Sequence, residues 1–227
     1  YQTEEEAAKA PNDPNAQGRK KHAGDAIFED VNNDGQLDSK DMIFMGYARP
    51  DKVGGIINTL KYKGLTVRIV MDWAMGHVID NGFKGQIMGS SRNNNNAIKE
   101  AMTNSWQSAN DGSKYPKYTV QSDYDYQYRN HMRWDNQIGS SASGSTNNSL
   151  YFSKGDYLAF REVSLSYMLP LSWIRKMRLS AVEVFAGAYN IGYIKKYDGM
   201  FPEIYTGVDY GIYPRPRQYN MGVKINF

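Results

Sequence analysis

The last nine residues of the chain alternate without a break. Tyr219, Met221, Val223, Ile225 and Phe227 are apolar or aromatic, while Asn220, Gly222, Lys224 and Asn226 between them are small or polar. Successive side chains of a β-strand point to opposite faces, so a strand here has one greasy side and one wet side. Two kinds of structure meet that requirement. In a transmembrane β-barrel, about 9 to 11 residues cross the bilayer, with lipid-facing apolar residues alternating with lumen-facing polar ones. A soluble antiparallel sheet with one solvated face gives the same alternation.

Further segments repeat the pattern. Residues 53–62 and 65–74 are predicted strands joined by a tight turn at Lys63 and Gly64. In the second of them Leu65, Val67, Ile69, Met71 and Trp73 share a side, and Arg68 and Asp72 on the other side are expected to meet water or a polar lumen. Ile56, Leu60 and Tyr62 share a side of the first. Residues 155–169 form another predicted strand with Val163, Leu165, Tyr167 and Leu169 on one side. Leu158 and Phe160 fall out of phase with them, which predicts a bulge near Arg161 and Glu162. A turn segment at 170–178 leads to a strand over 181–191, whose outward face the sequence leaves open, and the last strand starts near Arg217.

Composition sets limits on this picture. A mean hydropathy of −0.66 and the absence of any long apolar run exclude a bundle of membrane helices, but not a barrel with polar lumen and loops. Eighteen Tyr against eight Phe favour interfaces, because the ring is apolar and its tip polar. A net charge of +3 gives no case for nucleic acid, and the run Arg19, Lys20, Lys21, His22 is read as a solvated surface. With no Cys, disulfides and Cys-ligated metals are excluded. The chain starts at Tyr1 without a signal-type leader, and we expect it to be the C-terminal piece of something longer.

The sharpest local motif lies in 25–45. Asp30, Asn32 and Asp34 stand at alternate positions, Gly35 follows, and Asp38 and Asp41 complete a twelve-residue loop. Calcium takes about six to eight hard oxygens, which a loop of this type offers from its positions 1, 3, 5, 7, 9 and 12. Here these are Asp30, Asn32, Asp34, the carbonyl of Gln36, Asp38 and Asp41, with Gly35 permitting the turn. Asp41 stands where a bidentate Glu is usual, which shortens the reach and lowers affinity. Residues 26–29 look extended, so the loop is isolated from any helix. The competing reading is an Asp/Asn-rich turn bonded only to itself.

Residues 77–150 are rich in Asn, Ser, Gly and Tyr, with a predicted short helix over 97–106 behind Asn96 as cap. Residues 192–216 are a second long connection. Tyr115, Tyr118, Tyr124, Tyr126, Tyr128 and Trp134 either line a ligand or partner surface or anchor the loop to itself. Short and long connections alternate along the chain, as they do in an outer-membrane barrel with periplasmic turns and extracellular loops. Five strands cannot close such a barrel, which needs an even count from about eight upward, so a membrane reading requires strands from a missing N-terminal portion.

One ordered series of short matches is specific as a set. It runs through Gly24-Asp25-Ala26-Ile27-Phe28-Glu29-Asp30 to Asp41, Gly54-Gly55, Tyr62-Lys63-Gly64-Leu65, and Tyr157-Leu158 to Val163-Ser164-Leu165-Ser166-Tyr167. It continues through Leu169-Pro170, Asn190, Tyr197-Asp198-Gly199, Pro202-Glu203 and Tyr213-Pro214-Arg215-Pro216-Arg217 to Phe227. In this the chain resembles the C-terminal part of a SusC/RagA-type TonB-dependent outer-membrane transporter. The resemblance implies an all-β fold: the C-terminal part of a transmembrane antiparallel β-barrel of about 22 strands with a plugged lumen. Residues 1–45 would be an extracellular loop carrying the calcium-type motif. Residues 46–227 would supply barrel strands, with extracellular loops 77–150 and 192–216. It further implies outer-membrane lipid, a SusD-like surface lipoprotein, TonB contacted through the missing N-terminal plug and barrel portion, and import of an oligosaccharide or peptide.

No catalytic arrangement is present. His22, His77 and His131 show no metal spacing, and no nucleophile elbow, P-loop or dinucleotide fingerprint occurs, so neither catalysis nor a cofactor beyond structural Ca2+ is expected. The alternatives are a secreted calcium-stabilised β-sandwich that binds glycans with its aromatics, and a passive porin without a plug.

Overall fold

Backbone N–H and C=O groups of an extended chain need a neighbour, and the turn at Lys63 and Gly64 supplies the first one. The computed structural model describes residues 1–16, 18–91, 98–120, 149–204 and 206–227. Strand β1 (Lys52–Tyr62) pairs along its whole length with β2 (Leu65–Met75), Lys52 opposite Met75 and Tyr62 opposite Leu65. Both turn residues have positive φ, 45° at Lys63 and 84° at Gly64, as the tight hairpin turn that matches strand twist demands. Among the described residues four short strands follow: β3 (Val78–Asp80), β4 (Ser90–Ser91), β5 (Thr119–Val120) and β6 (Phe152–Lys154). Then come the long strands β7 (Tyr157–Met168), β8 (Ala181–Lys195) and β9 (Gln218–Asn226).

The five long strands form one antiparallel sheet in the order β1-β2-β7-β8-β9, while β3 pairs with β6 and β4 with β5. The chain folds as two units. One comprises Tyr1–Gly46, Asp80–Phe152 and Thr206–Gly211, the other Tyr47–Ile79, Ser153–Tyr205 and Ile212–Phe227, which contains the five-stranded sheet.

Cross-strand register carries an apolar face across all five strands, interrupted on β1 by Asn58 opposite Ile69. Val223 lies opposite Val184, Val184 opposite Tyr167, Tyr167 opposite Leu65 and Leu65 opposite Tyr62. The next row runs Met221, Ala186, Leu165, Val67, Leu60. The face of β8 that alternation alone left open is therefore Val182, Val184, Ala186 and Ala188 toward the apolar side. The other face carries Thr59, Arg68, Ser164, Gly187 and Asn220 in one row, with Val70, Glu162, Tyr189 and Gln218 in the next row from β2 to β9.

The expected bulge is present and explains the phase change. Phe160 pairs with Met71 and Glu162 with Val70, so Arg161 is passed over on the β2 side. On the β8 side Phe160 meets Gly192 and Glu162 meets Tyr189, with a compensating irregularity around Asn190, whose φ is 51°. One extra residue in β7 returns Leu158 and Phe160 to the apolar face and leaves Arg161 re-aimed. Beyond Met168 the chain turns through the short helix Leu171–Ile174 and a left-handed Arg178, matching the expected turn segment.

The unit without the long sheet is held by contacts between segments distant in sequence. Gly24 donates to the carbonyl of Tyr1 (2.8 Å) and accepts from Lys117 N–H (2.8 Å), and a Cβ there would fall 2.5 Å from the Trp106 ring. The expected helix over 97–106 is shorter than predicted, Lys99–Thr103, and starts at Ile98 without a side-chain cap; Asn96, the expected cap, lies outside the described residues. Propensity favoured a longer helix, but Ser105 already bridges to Tyr115 and Trp106 N–H is taken by the Tyr115 carbonyl, which ends the run.

Gly64 admits a direct test. A Cβ there would lie 2.8 Å from the carbonyl oxygen of Met168, at a φ that β-branched residues rarely adopt. Gly64→Val is expected to destabilise the sheet by about 1–3 kcal/mol, measured as a fall in the thermal midpoint of the solubilised protein; an unchanged midpoint would contradict the turn geometry.

Candidate functional site

The polar face of the sheet is where charge concentrates. Asp72 sits on β2, Arg161 in the bulge of β7 and Tyr193 on β8, at the strand ends that lead into the long connections. The Arg161 guanidinium forks onto Asp72, with Nη2 2.8 Å from one carboxylate oxygen and Nε on the other. Its Nη1 lies 2.5 Å from Glu203 Oε1, and the Tyr193 hydroxyl donates to that same oxygen at 2.6 Å. Arg215 Nη2 approaches Glu203 Oε2 at 3.4 Å, and the Glu203 side chain is only 1% exposed. Two guanidiniums thus balance two carboxylates, the condition under which buried charge is tolerable. A second pair, Arg68 with Glu162 at 3.3 Å, lies further along the face.

Apolar contacts surround these charges. The Tyr193 ring meets Tyr157 and Phe201 edge-on, with centroids 5.8 Å apart in both cases. Ile79, Tyr197, Phe201 and Ile204 form one buried cluster, and Ala74, Tyr157 and Ala159 another, both touching Tyr193. No member is a nucleophile paired with a base. The arrangement fixes a loop and presents a wall of hydroxyl, guanidinium and carboxylate groups. Only the resemblance quoted Pro202-Glu203, and spacing gave no hint of Glu203 as partner of Arg161. The one legible signal was the phase break at Arg161.

The Asp30 loop closes on its own backbone through its acidic and Asn side chains. Asp30 accepts from the N–H groups of Asp34 (3.2 Å) and Gly35 (2.8 Å), Asn32 from Asp34 (3.0 Å), Asp34 from Gln36 (2.9 Å) and Asp38 from Lys40 (2.7 Å). Asp41 closes the loop onto Val31 N–H (2.9 Å) and Asp38 N–H (2.8 Å). The Lys40 ammonium lies 3.4 Å from Asp34 and 3.6 Å from Asp38. The hydrogen bond from Gln36 N–H, with help from Asn32 and Lys40, holds the Asp34 carboxyl below its usual range. Hard oxygens in this order fit calcium by donor chemistry. Among the described residues, however, no three His, Cys, Asp or Glu side chains gather into a group that could hold a metal ion.

Of the loop aromatics, Tyr115 is buried against Ala101 and Tyr151, with Tyr118 packed beside them, and its hydroxyl donates to Glu100 at 2.6 Å. These two anchor the loop to itself; Tyr124, Tyr126, Tyr128 and Trp134 lie outside the described residues, as does His131. His22 pairs with Glu4 at 3.2 Å. His77 is buried beside Gly155, where a Cβ would fall 2.3 Å from its Nε2, and its Nδ1 has no hydrogen-bond partner among the described residues.

No family model matches the chain. It is 25% identical over 216 residues to TonB-dependent receptor P3 of Formosa agariphila, covering 90% of this chain and 19% of that protein. TonB-dependent receptor P26 of the same organism is 23% identical over 90% of this chain and 20% of its own length. The chain therefore spans about a fifth of the curated relatives it matches. Among solved structures, the RagAB peptide transporter aligns with a TM-score of 0.56 at 23% identity, over 79% of this chain and 17% of that one. The RagAB peptide importer in its open-open state gives 0.61 at 20% identity, over 88% and 20%. The expected SusC/RagA-type resemblance is thereby borne out, and the relatives carry names of receptors and transporters, not of enzymes.

Burial pushes the His77 imidazole below its ordinary value, against a smaller opposing pull from Asp156. Because the folded state prefers the neutral ring, its contribution to stability is complete above about pH 6.5 and is lost as pH falls toward the lower folded value. Wild-type protein is expected to lose more thermal stability than His77→Gln on going from about pH 7.5 to about pH 5.5. Equal losses in the two proteins would overturn this role.

Proposed function

This chain is related to the SusC/RagA-type TonB-dependent transporters, and we propose that it forms part of the wall of an outer-membrane β-barrel that imports nutrients. The apolar face of the five-stranded sheet carries the argument. Tyr62, Leu60, Leu165, Val184, Met221 and Val223 on it are all exposed, Met221 at 87%. A water-soluble monomer rarely leaves a continuous apolar surface beyond a few hundred Å². Strands of 9 to 15 residues are long enough to cross a bilayer when tilted. Among the described residues no helix is long and apolar enough to do so.

In this reading acyl chains cover the apolar face and the polar face lines the lumen. β1 and β9 are the edges of the sheet, and lipid does not tolerate unpaired edges, so upstream strands complete a barrel of about 22. The missing N-terminal portion supplies the plug and the contact with TonB. Residues 1–45 and the connections 77–150 and 196–216, the second shorter than the expected 192–216 because β8 runs on to Lys195, are extracellular, where a SusD-like lipoprotein caps the mouth and an oligosaccharide or peptide enters. The name of the RagAB importer favours a peptide for that protein; the polar wall here suits either cargo. A secreted β-sandwich would instead pack the odd-numbered side chains of β9 beneath a second sheet, whereas Tyr219, Met221, Val223, Ile225 and Phe227 are all exposed.

The Asp30 loop takes calcium from the external medium, with Asp30, Asn32, Asp34, Asp38, Asp41 and the Gln36 carbonyl as oxygen donors. The ion replaces the Lys40 ammonium beside Asp34 and Asp38. It serves structure, tying down the segment that precedes β1.

Two measurements test these proposals. Val223→Arg on the lipid side is expected to cost about 2–4 kcal/mol in assembly, read as loss of protein from the outer-membrane fraction, whereas Asn220→Arg on the lumen side is tolerated. Equal effects would sink the assignment of faces. Calorimetry is expected to show calcium binding that Asp30→Ala abolishes; no heat at about millimolar calcium would reject the ion.

A further inference from the structure

We propose that residues 197–204 form a strap latched across the mouth end of the polar face, and that Glu203 is the latch. The proposal rests on the reading that this face lines a lumen. After β8 the chain folds straight back, because the Lys195 ammonium engages the carbonyl of Gly199 and lies 3.4 Å from that of Met200. Tyr197, Phe201 and Ile204 then pack with Ile79 and Tyr193. Under this end of the face Ala74, Tyr157 and Ala159 are buried, whereas Thr59 and Lys61 at the opposite end are exposed.

Glu203 joins the strap to the wall. Its carboxylate is shared by Arg161 and Tyr193, both on the sheet, and by Arg215, which follows the strap and sits over the Phe201 ring at 5.9 Å. The charges are distributed in a way that permits release. When Glu203 leaves, Arg161 keeps its forked pair with Asp72, so the wall strands no uncompensated cation, and Glu203 and the half-exposed Arg215 pass into water. Had Arg161 depended on Glu203 alone, opening would leave a bare guanidinium behind. A closed state that is buried and neutral and an open state that is also compensated are the two states a latch requires.

The full-length protein in outer membranes gives the test. This chain has no cysteine, so Ile204→Cys, at a position 2% exposed, places a single reporter thiol in it. Labelling by a membrane-impermeant maleimide is expected to be slow in the otherwise unchanged protein and faster by roughly tenfold or more in a Glu203→Gln background. Tyr193→Phe, which removes the hydroxyl's bond to Glu203 and the one it accepts from Arg161 but keeps the ring, is expected to accelerate labelling by a smaller factor and serves where Glu203→Gln does not assemble. Labelling that is equally slow in both backgrounds would show that Glu203 is no latch. Fast labelling in the parent would show that the strap is not closed. If the protein fails to fractionate with membranes while Ile204→Cys stays protected, the lumen reading falls and the latch stands.

Discussion

A sheet that is mainly apolar on one face and carries its charges on the other depends on two different surroundings at once. The register of the five long strands sets this up, because rows such as Tyr62-Leu65-Tyr167-Val184-Val223 keep apolar side chains on one face, while Arg68 and Glu162 fall on the other. A one-residue slip in any pair would carry polar side chains onto the apolar face. The tight turn at Lys63 and Gly64 and the compensated irregularities at Arg161 and Asn190 therefore matter beyond their size. They hold the phase on which the separation of faces rests.

The bulge on β7 links that separation to the polar site. An unbroken strand would carry Phe160 and Leu158 to the charged side. Instead one residue is looped out, both aromatic and aliphatic side chains return to the apolar face, and the extra residue is an arginine pointed at Asp72 and Glu203. The same local defect thus repairs the apolar surface and creates the centre on which residues 197–204 are fixed. Glu203 is buried at no prohibitive cost because two guanidiniums and a phenol surround it.

The other unit is stabilised by different means. Its Asp30 loop is a set of side-chain-to-backbone bonds made within a dozen residues, so it forms from local sequence. Tyr115 and Tyr151 bury their rings around Ala101, a small core where a long polar segment would otherwise have none. Burial pushes the phenol of Tyr115 upward, and its bond to Glu100 adds to this, as expected of a structural tyrosine that stays protonated.

Sequence by itself determined what depends on near neighbours. Alternation of period two marked the strands, positive-φ turn chemistry marked the hairpin, the phase break marked the bulge, and Asp/Asn spacing marked the folded loop. The tertiary structure alone decided which face of β8 joins the apolar side, since Ala186 and Gly187 have nearly the same size and only pairing with Leu165 and Ser164 tells them apart. It also decided that Tyr115 anchors its own loop and that Arg161 meets Asp72, 89 residues away in sequence. The physical reason is reach: side-chain direction along a strand is set by adjacent residues, whereas the partner of a buried charge is set by register between strands distant in sequence, which no local pattern encodes.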